Sequence, residues 1–216
     1  MINLIQKHRF VAILRNIELS FTENVAKSLY NGGVRVFEVT FDPSDNETIK
    51  NTKAKIETIK SMYGSEVSVG AGTVLTPDFA SAAYEAGAEF LVSPSTDKRV
   101  IDYAKSHSIL AIPGAYTPTE IMNAYNMGAD IVKIFPVAAD ETAYLKNILS
   151  PISHIPFMVT GGVNLDSIED FMKFNPVALG AGASIVTNDS AKAGMWEQIE
   201  NNARQHVEKI QEFLSI

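Results

Sequence analysis

Short apolar runs alternate with amphipathic stretches along the whole chain, and the two patterns predict strands and helices in strict succession. Strands are predicted at Val11–Leu14, Val36–Thr40, Val67–Val74, Phe90–Ser93, Leu110–Pro113, Ile131–Phe135, Phe157–Thr160 and Val177–Gly180. Helix-start chemistry lies between them. Ser20-Phe21-Thr22-Glu23, Ser44-Asp45-Asn46-Glu47 and Thr117-Pro118-Thr119-Glu120 read as capping boxes. Thr76-Pro77-Asp78 sets a cap before a proline at the first helical position. Gly32-Gly33, Gly87 and Gly128 close helices just before the next strand, so the helix-to-strand junction is a weak internal repeat. A further short helix is predicted over Met1–Arg9, capping a barrel floor, and a long one over Met195–Ile216.

Near-continuous apolar strands, each followed by a crossover helix, mean a parallel sheet covered by helices. Eight such units in 216 residues fit an α/β chain folded as one (β/α)8 TIM barrel with an extra N-terminal helix. A doubly wound open sheet is the rival, but no Gly-x-Gly-x-x-Gly opens the first helix. No linker or low-complexity segment divides the chain, so residues 1–216 are expected to form one domain.

Composition narrows the function. Hydrophobic residues make up 46% and charged residues 20%, an ordinary globular balance. A net charge of −7 argues against a nucleic-acid partner, which needs a basic face, but it permits an anionic small molecule held by a few local donors. There are no cysteines, hence no disulfides and no thiolate metal site. The N-terminus has no apolar run long enough for a signal peptide, and no stretch approaches the ~18 apolar residues of a membrane span, which predicts a soluble cytoplasmic protein. His8, His107, His154 and His206 are scattered without ligand spacing, so no metal is expected and each histidine reads as a surface residue. Trp196 reads as packing.

Two charges interrupt the apolar strands. Lys133 lies in Asp130-Ile131-Val132-Lys133-Ile134-Phe135-Pro136, and Glu38 in Val34-Arg35-Val36-Phe37-Glu38-Val39-Thr40. Each falls at the fifth residue after a helix-closing glycine, Gly128 or Gly33, which puts both at one level of two even-numbered strands. The same count from Gly87 gives Val92 as an apolar member of that layer. A space-filling ion pair is one explanation, although packed apolar residues do that job as well or better. The chemical explanation is a desolvated amine with a depressed pKa that attacks a ketone, beside a carboxyl group that moves protons.

Anion-holding loops complete the picture. Thr160-Gly161-Gly162-Val163-Asn164 and Gly180-Ala181-Gly182-Ala183-Ser184 end the last two strands, where barrels commonly hold phosphate on backbone N–H groups. Thr73, ending Gly70-Ala71-Gly72-Thr73, offers a hydroxyl for a carboxylate or for local backbone. Arg15, ending the first strand, offers a cation for an anion or for a rim salt bridge.

Phe37-Glu38-Val39-Thr40, Gly70-Ala71-Gly72-Thr73-Val74-Leu75, Ser93-Pro94, Ile112-Pro113-Gly114, Lys133-Ile134-Phe135-Pro136 and Thr160-Gly161-Gly162-Val163 occur in the order seen in 2-keto-3-deoxy-6-phosphogluconate aldolases. The chain resembles that family, whose members also act on 4-hydroxy-2-oxoglutarate, over nearly its whole length. The resemblance implies a class I aldolase without metal or cofactor that forms a lysine Schiff base, releases pyruvate and an aldehyde (glyceraldehyde 3-phosphate or glyoxylate), and assembles as a homotrimer. It makes Lys133 the Schiff-base lysine and Glu38 the general acid/base. It puts Thr73 beside the pyruvate carboxylate, Pro94 in the pocket, Arg15 at an anion, and Thr160, Gly161, Gly162, Gly182 and Ala183 around the pocket and phosphate. Two positions depart from the family pattern. Asp42 stands where an arginine often follows Glu-Val-Thr, and Ala183 where the last loop often has a serine, with Ser184 adjacent. The substrate epimer and the need for its phosphate stay open. So do a phosphosugar isomerase or epimerase using Glu38 as base, and a non-catalytic barrel that binds a phosphorylated metabolite.

Overall fold

The computed structural model describes residues 2–214. The expected ends of the first and last helices, Met1 and Ser215–Ile216, lie outside the described residues. The strands are β1 (Phe10–Leu14), β2 (Val36–Thr40), β3 (Ser68–Gly72), β4 (Phe90–Val92), β5 (Leu110–Ile112), β6 (Gly114–Ala115), β7 (Val132–Val137), β8 (Phe157–Gly161) and β9 (Ala178–Ala181). All pair in parallel, in the order β5-β4-β3-β2-β1-β9-β8-β7-β6, and form a nearly closed barrel. The helices are α1 (Ile2–His8), α2 (Thr22–Asn31), α3 (Thr48–Tyr63), α4 (Pro77–Glu85), α5 (Lys98–Ser106), α6 (Pro118–Asn126), α7 (Thr142–Leu149), α8 (Ile168–Met172), α9 (Asn188–Lys192) and α10 (Trp196–Leu214).

The expected fifth strand is one stave in two pieces. Pro113 cannot donate to a ladder, so β5 pairs with β4 while β6, after the proline, pairs with β7. Its carbonyl still accepts from Lys133 N–H at 2.9 Å, which knits the closure beside the candidate lysine.

Helix starts follow the expected chemistry only in part. Thr76 caps α4, and Thr117 with Glu120 forms the expected capping box of α6. The boxes expected at Ser20 and Ser44 do not form. A 3-10 turn, Leu19–Phe21, leads into α2, and Asp42 and Asp45 side chains accept backbone N–H groups ahead of α3. An unexpected box, Thr187 with Ser190, starts α9.

Two apolar shells result. Helix faces pack on the outside of the sheet. Inside, Ile5 of α1 joins Val11, Val36, Phe90, Val92, Ile112, Ile131, Met158 and Ala178 in a buried plug at the floor. The expected apolar neighbour of the charged layer, Val92, belongs to this plug and is fully buried.

His206 departs from its expected surface position. It is 2% exposed on α10, stacks on Phe10 with centroids 5.8 Å apart, bonds through Nδ1 to Asn202 O at 2.7 Å, and leaves Nε2 without a partner. Burial lowers its pKa below 6.5. The unfolded chain therefore binds the proton more readily, and stability falls as pH drops below 6.5. His206→Leu is expected to flatten that acid limb, which otherwise costs up to about 1.4 kcal/mol per pH unit. Thermal melting of both proteins between pH 7 and pH 5 measures it, and parallel curves would refute the assignment.

Candidate active site

The carboxyl ends of the strands surround a cavity of about 470 Å³. Lys133 reaches it from β7 while only 3% exposed, and its Nζ lies 4.8 Å from the centroid of the Phe135 ring. Phe135 lines the cavity where the register between β7 and β8 shifts. Glu38, on β2, is fully buried behind the cavity lining, and neither carboxyl oxygen has a hydrogen-bond partner.

The two groups bias each other without a salt bridge. Desolvation is the larger influence on each: it pushes the Lys133 amine down and the Glu38 carboxyl up, while the attraction of one for the other opposes both shifts. Arg15 adds to the depression of the lysine and works against the rise of the glutamate. Burial thus disfavours the charged form of both groups, moving the amine towards a nucleophile and the carboxyl towards a proton donor.

Glycines make the room for this pair. A Cβ at Gly70 would stand 2.3 Å from the Phe90 ring, and one at Gly72 would stand 2.0 Å from Glu38 Oε1. From Gly70 to Gly72 the third strand therefore leaves its inner face bare, and the glutamate lies against it. Gly114, beside Lys133 in the ladder, likewise admits the Pro94 carbonyl, which a Cβ would meet at 2.3 Å. Ser93, bonded to Val74 O at 2.6 Å, holds that segment so that Pro94 lines the cavity.

Most of the expected binding residues meet here. Arg15, Thr73, Pro94, Thr160, Gly161, Gly182 and Ala183 all line the cavity. Arg15 is exposed and forms no ion pair among the described residues. Thr160 is buried with its hydroxyl unpartnered. Thr73 has φ +58°, a left-handed conformation that costs a β-branched residue about 1–3 kcal/mol. Gly162 lies outside the lining, and its N–H donates to Val137 O.

The two departures from the family pattern also have places. Asp42 faces a separate groove, where Oδ1 accepts from Ser44 N at 2.9 Å and Ser44 Oγ at 2.6 Å, which lowers its pKa. It does not line the main cavity. Ser184 donates to Val163 O at 2.9 Å, so its hydroxyl does not replace the one missing at Ala183. Sequence reading did not find Gly72, or Asn16, Val186, Thr187 and Asn188 at the mouth. The Thr-x-x-Ser spacing at Thr187 was the available signal for the last group.

A family model described as KDPG and KHG aldolase matches residues 1–202. The 2-dehydro-3-deoxy-phosphogluconate aldolase of Treponema pallidum (strain Nichols) is 31% identical over 211 residues, covering 95% of this chain and 96% of that protein. The KHG/KDPG aldolase of Escherichia coli (strain K12) is 33% identical over 187 residues, 85% of this chain and 84% of the relative. Among solved structures, KDPG aldolase from Legionella pneumophila, with pyruvate captured at low pH as a covalent carbinolamine, superimposes with a TM-score of 0.82 at 27% identity, covering 94% of this chain and 96% of the other.

Proposed function

Because the chain belongs to the KDPG and KHG aldolase family, we propose that it cleaves 2-keto-3-deoxy-6-phosphogluconate, or a related 4-hydroxy-2-keto acid, to pyruvate and an aldehyde through Lys133. It is a class I aldolase, a carbon–carbon lyase. What carries the assignment of the lysine is one observation: an amine, buried yet open to the cavity, with its pKa lowered by desolvation.

The chemistry uses the direction in which burial moves both groups, the amine down and the carboxyl up. Lys133 Nζ adds to the C2 carbonyl, and Glu38 supplies the proton with which the carbinolamine oxygen leaves as water. The protonated imine then accepts the electron pair of the C3–C4 bond as the C4 hydroxyl passes its proton to the Glu38 carboxylate and becomes the aldehyde. The resulting enamine takes a proton at C3, and water releases pyruvate and restores the amine. Thr73 and Thr160 offer hydroxyls to the keto acid, and Arg15 with the backbone of Gly161, Gly182 and Ala183 offers donors to its anionic far end. Asp42, turned towards its own groove, does not oppose that anion from within the cavity.

Residues 1–216 act in this reading as one barrel domain, assembled as a homotrimer as the family resemblance implies, and working in the cytoplasm, where charged keto-acid phosphates are retained. No described helix is long and apolar enough to cross a membrane.

Borohydride added with pyruvate is expected to fix a stable adduct at Lys133, located by peptide mass spectrometry. A folded protein that yields no adduct would refute the assignment.

A further inference from the structure

Among the described residues, Arg15 is the only lysine or arginine besides Lys133 that lines the cavity. The side-chain charge offered to the substrate's distal anion, beside the backbone donors of Gly161, Gly182 and Ala183, therefore depends on where one exposed side chain is held. Its backbone leaves β1 and turns at once: Asn16, also at the mouth, takes φ +55°, and Ile17 is then buried in the core at 1% exposure.

The next residue ties this turn to the opposite rim. Glu18 N–H donates to Asn188 Oδ1 at 3.1 Å, and Asn188 Nδ2 donates back to Glu18 Oε1 at 3.1 Å. Lys192 Nζ lies 2.6 Å from the same carboxylate oxygen. Asn188 and Lys192 begin and end α9, and Thr187, which caps it, lines the mouth with Asn188. Two stretches of chain 170 residues apart thus grip each other across the rim of the cavity.

An isolated surface ion pair contributes little. This one is part of a network that includes a backbone N–H, and both sides are already ordered, one by a buried strand end and the other by a capped helix. Closing the network costs little further entropy, and its effect is to fix the direction in which Arg15 leaves the sheet.

We propose that Glu18, clamped by Asn188 and Lys192, is a positioning residue that holds Arg15 over the cavity mouth for the anionic far end of the substrate. The inference rests on the aldolase reading for the identity of that substrate. Glu18→Ala is expected to raise KM for 2-keto-3-deoxy-6-phosphogluconate about tenfold, the scale of one lost charge-assisted contact, with most of kcat retained. Adduct formation with pyruvate, which has no distal anion, is expected to proceed as in the parent protein. Glu18→Gln keeps an acceptor for Asn188 and should restore most of the loss. In an Arg15→Ala background, Glu18→Ala should add nothing, because the group it positions is gone.

Inorganic phosphate binding, followed by calorimetry, gives a readout independent of turnover and should weaken about tenfold in Glu18→Ala. Unchanged phosphate affinity, or effects of Glu18→Ala and Arg15→Ala that multiply, would overturn the proposal. A protein that binds phosphate as expected but forms no pyruvate adduct would refute the aldolase reading and leave this inference standing.

Discussion

Replacing Lys133 with methionine is expected to lower pyruvate release by about 10⁴-fold or more, because no other amine among the described lining residues is available for the covalent intermediate proposed above. The same change is expected to leave the fold as stable as before, or more stable. Burial holds the lysine pKa below 10.5 despite the pull of Glu38, so the folded protein binds this proton less readily than the unfolded chain. Between the lowered value and 10.5 the unfolded state takes up more protons, and parent stability rises with pH through that window. Methionine removes the penalty. The partner left behind, Glu38, is already pushed towards its neutral form by its own burial, and loss of the nearby ammonium pushes it further the same way. Thermal melts near neutrality should place Lys133→Met at or above the parent, with the gap closing as pH approaches 10.5. A loss of about 3–5 kcal/mol would instead mean that a charged ion pair had been broken. Lys133→Arg keeps a cation but offers no amine for a Schiff base, so it is expected to lose pyruvate release as Lys133→Met does.

The second large effect is expected at a residue with no side chain. Alanine at position 72 would place its methyl group 2.0 Å from Glu38 Oε1 and within 2.8 Å of Cγ and Cδ. Every one of these atoms belongs to the glutamate, so the side chain moves and the sheet does not. Overpacking of this kind costs about 1–3 kcal/mol. Misplacing the proton donor costs more in rate, about 10²–10⁴-fold in kcat for a general acid–base group. Borohydride should still label Lys133 in Gly72→Ala, only more slowly, because the amine is untouched. Steady-state kinetics beside adduct formation make the comparison. Full activity in a folded Gly72→Ala protein would show that Glu38 does not need its present place.

Lys133 and Glu38 were legible in the sequence because a charge inside an apolar strand violates the pattern around it, and because both counts ran from glycines that end helices. The strands were legible for the same reason, within a residue or two at most ends. The apolar pattern runs through Pro113 as one continuous strand, although its missing N–H splits that stave in two. Gly72 read as a strand-end glycine, since its task depends on a residue from the neighbouring strand that no local pattern reveals. The mouth residues Asn16, Thr187 and Asn188 depend on pairing between distant loops, and that pairing follows from closure of the barrel. The failed boxes at Ser20 and Ser44 show the limit of spacing rules: the same residues served turns that begin one or two positions away.

The apolar plug at the floor has a kinetic consequence. Ile5, Phe90, Ile112 and their neighbours leave no path downwards, so both halves of a cleaved substrate must pass out through one doorway. In the proposed mechanism the aldehyde is set free while pyruvate is still bonded to Lys133. Departure is therefore sequential, aldehyde first, and in the reverse, carbon-joining direction pyruvate has to dock before its partner arrives.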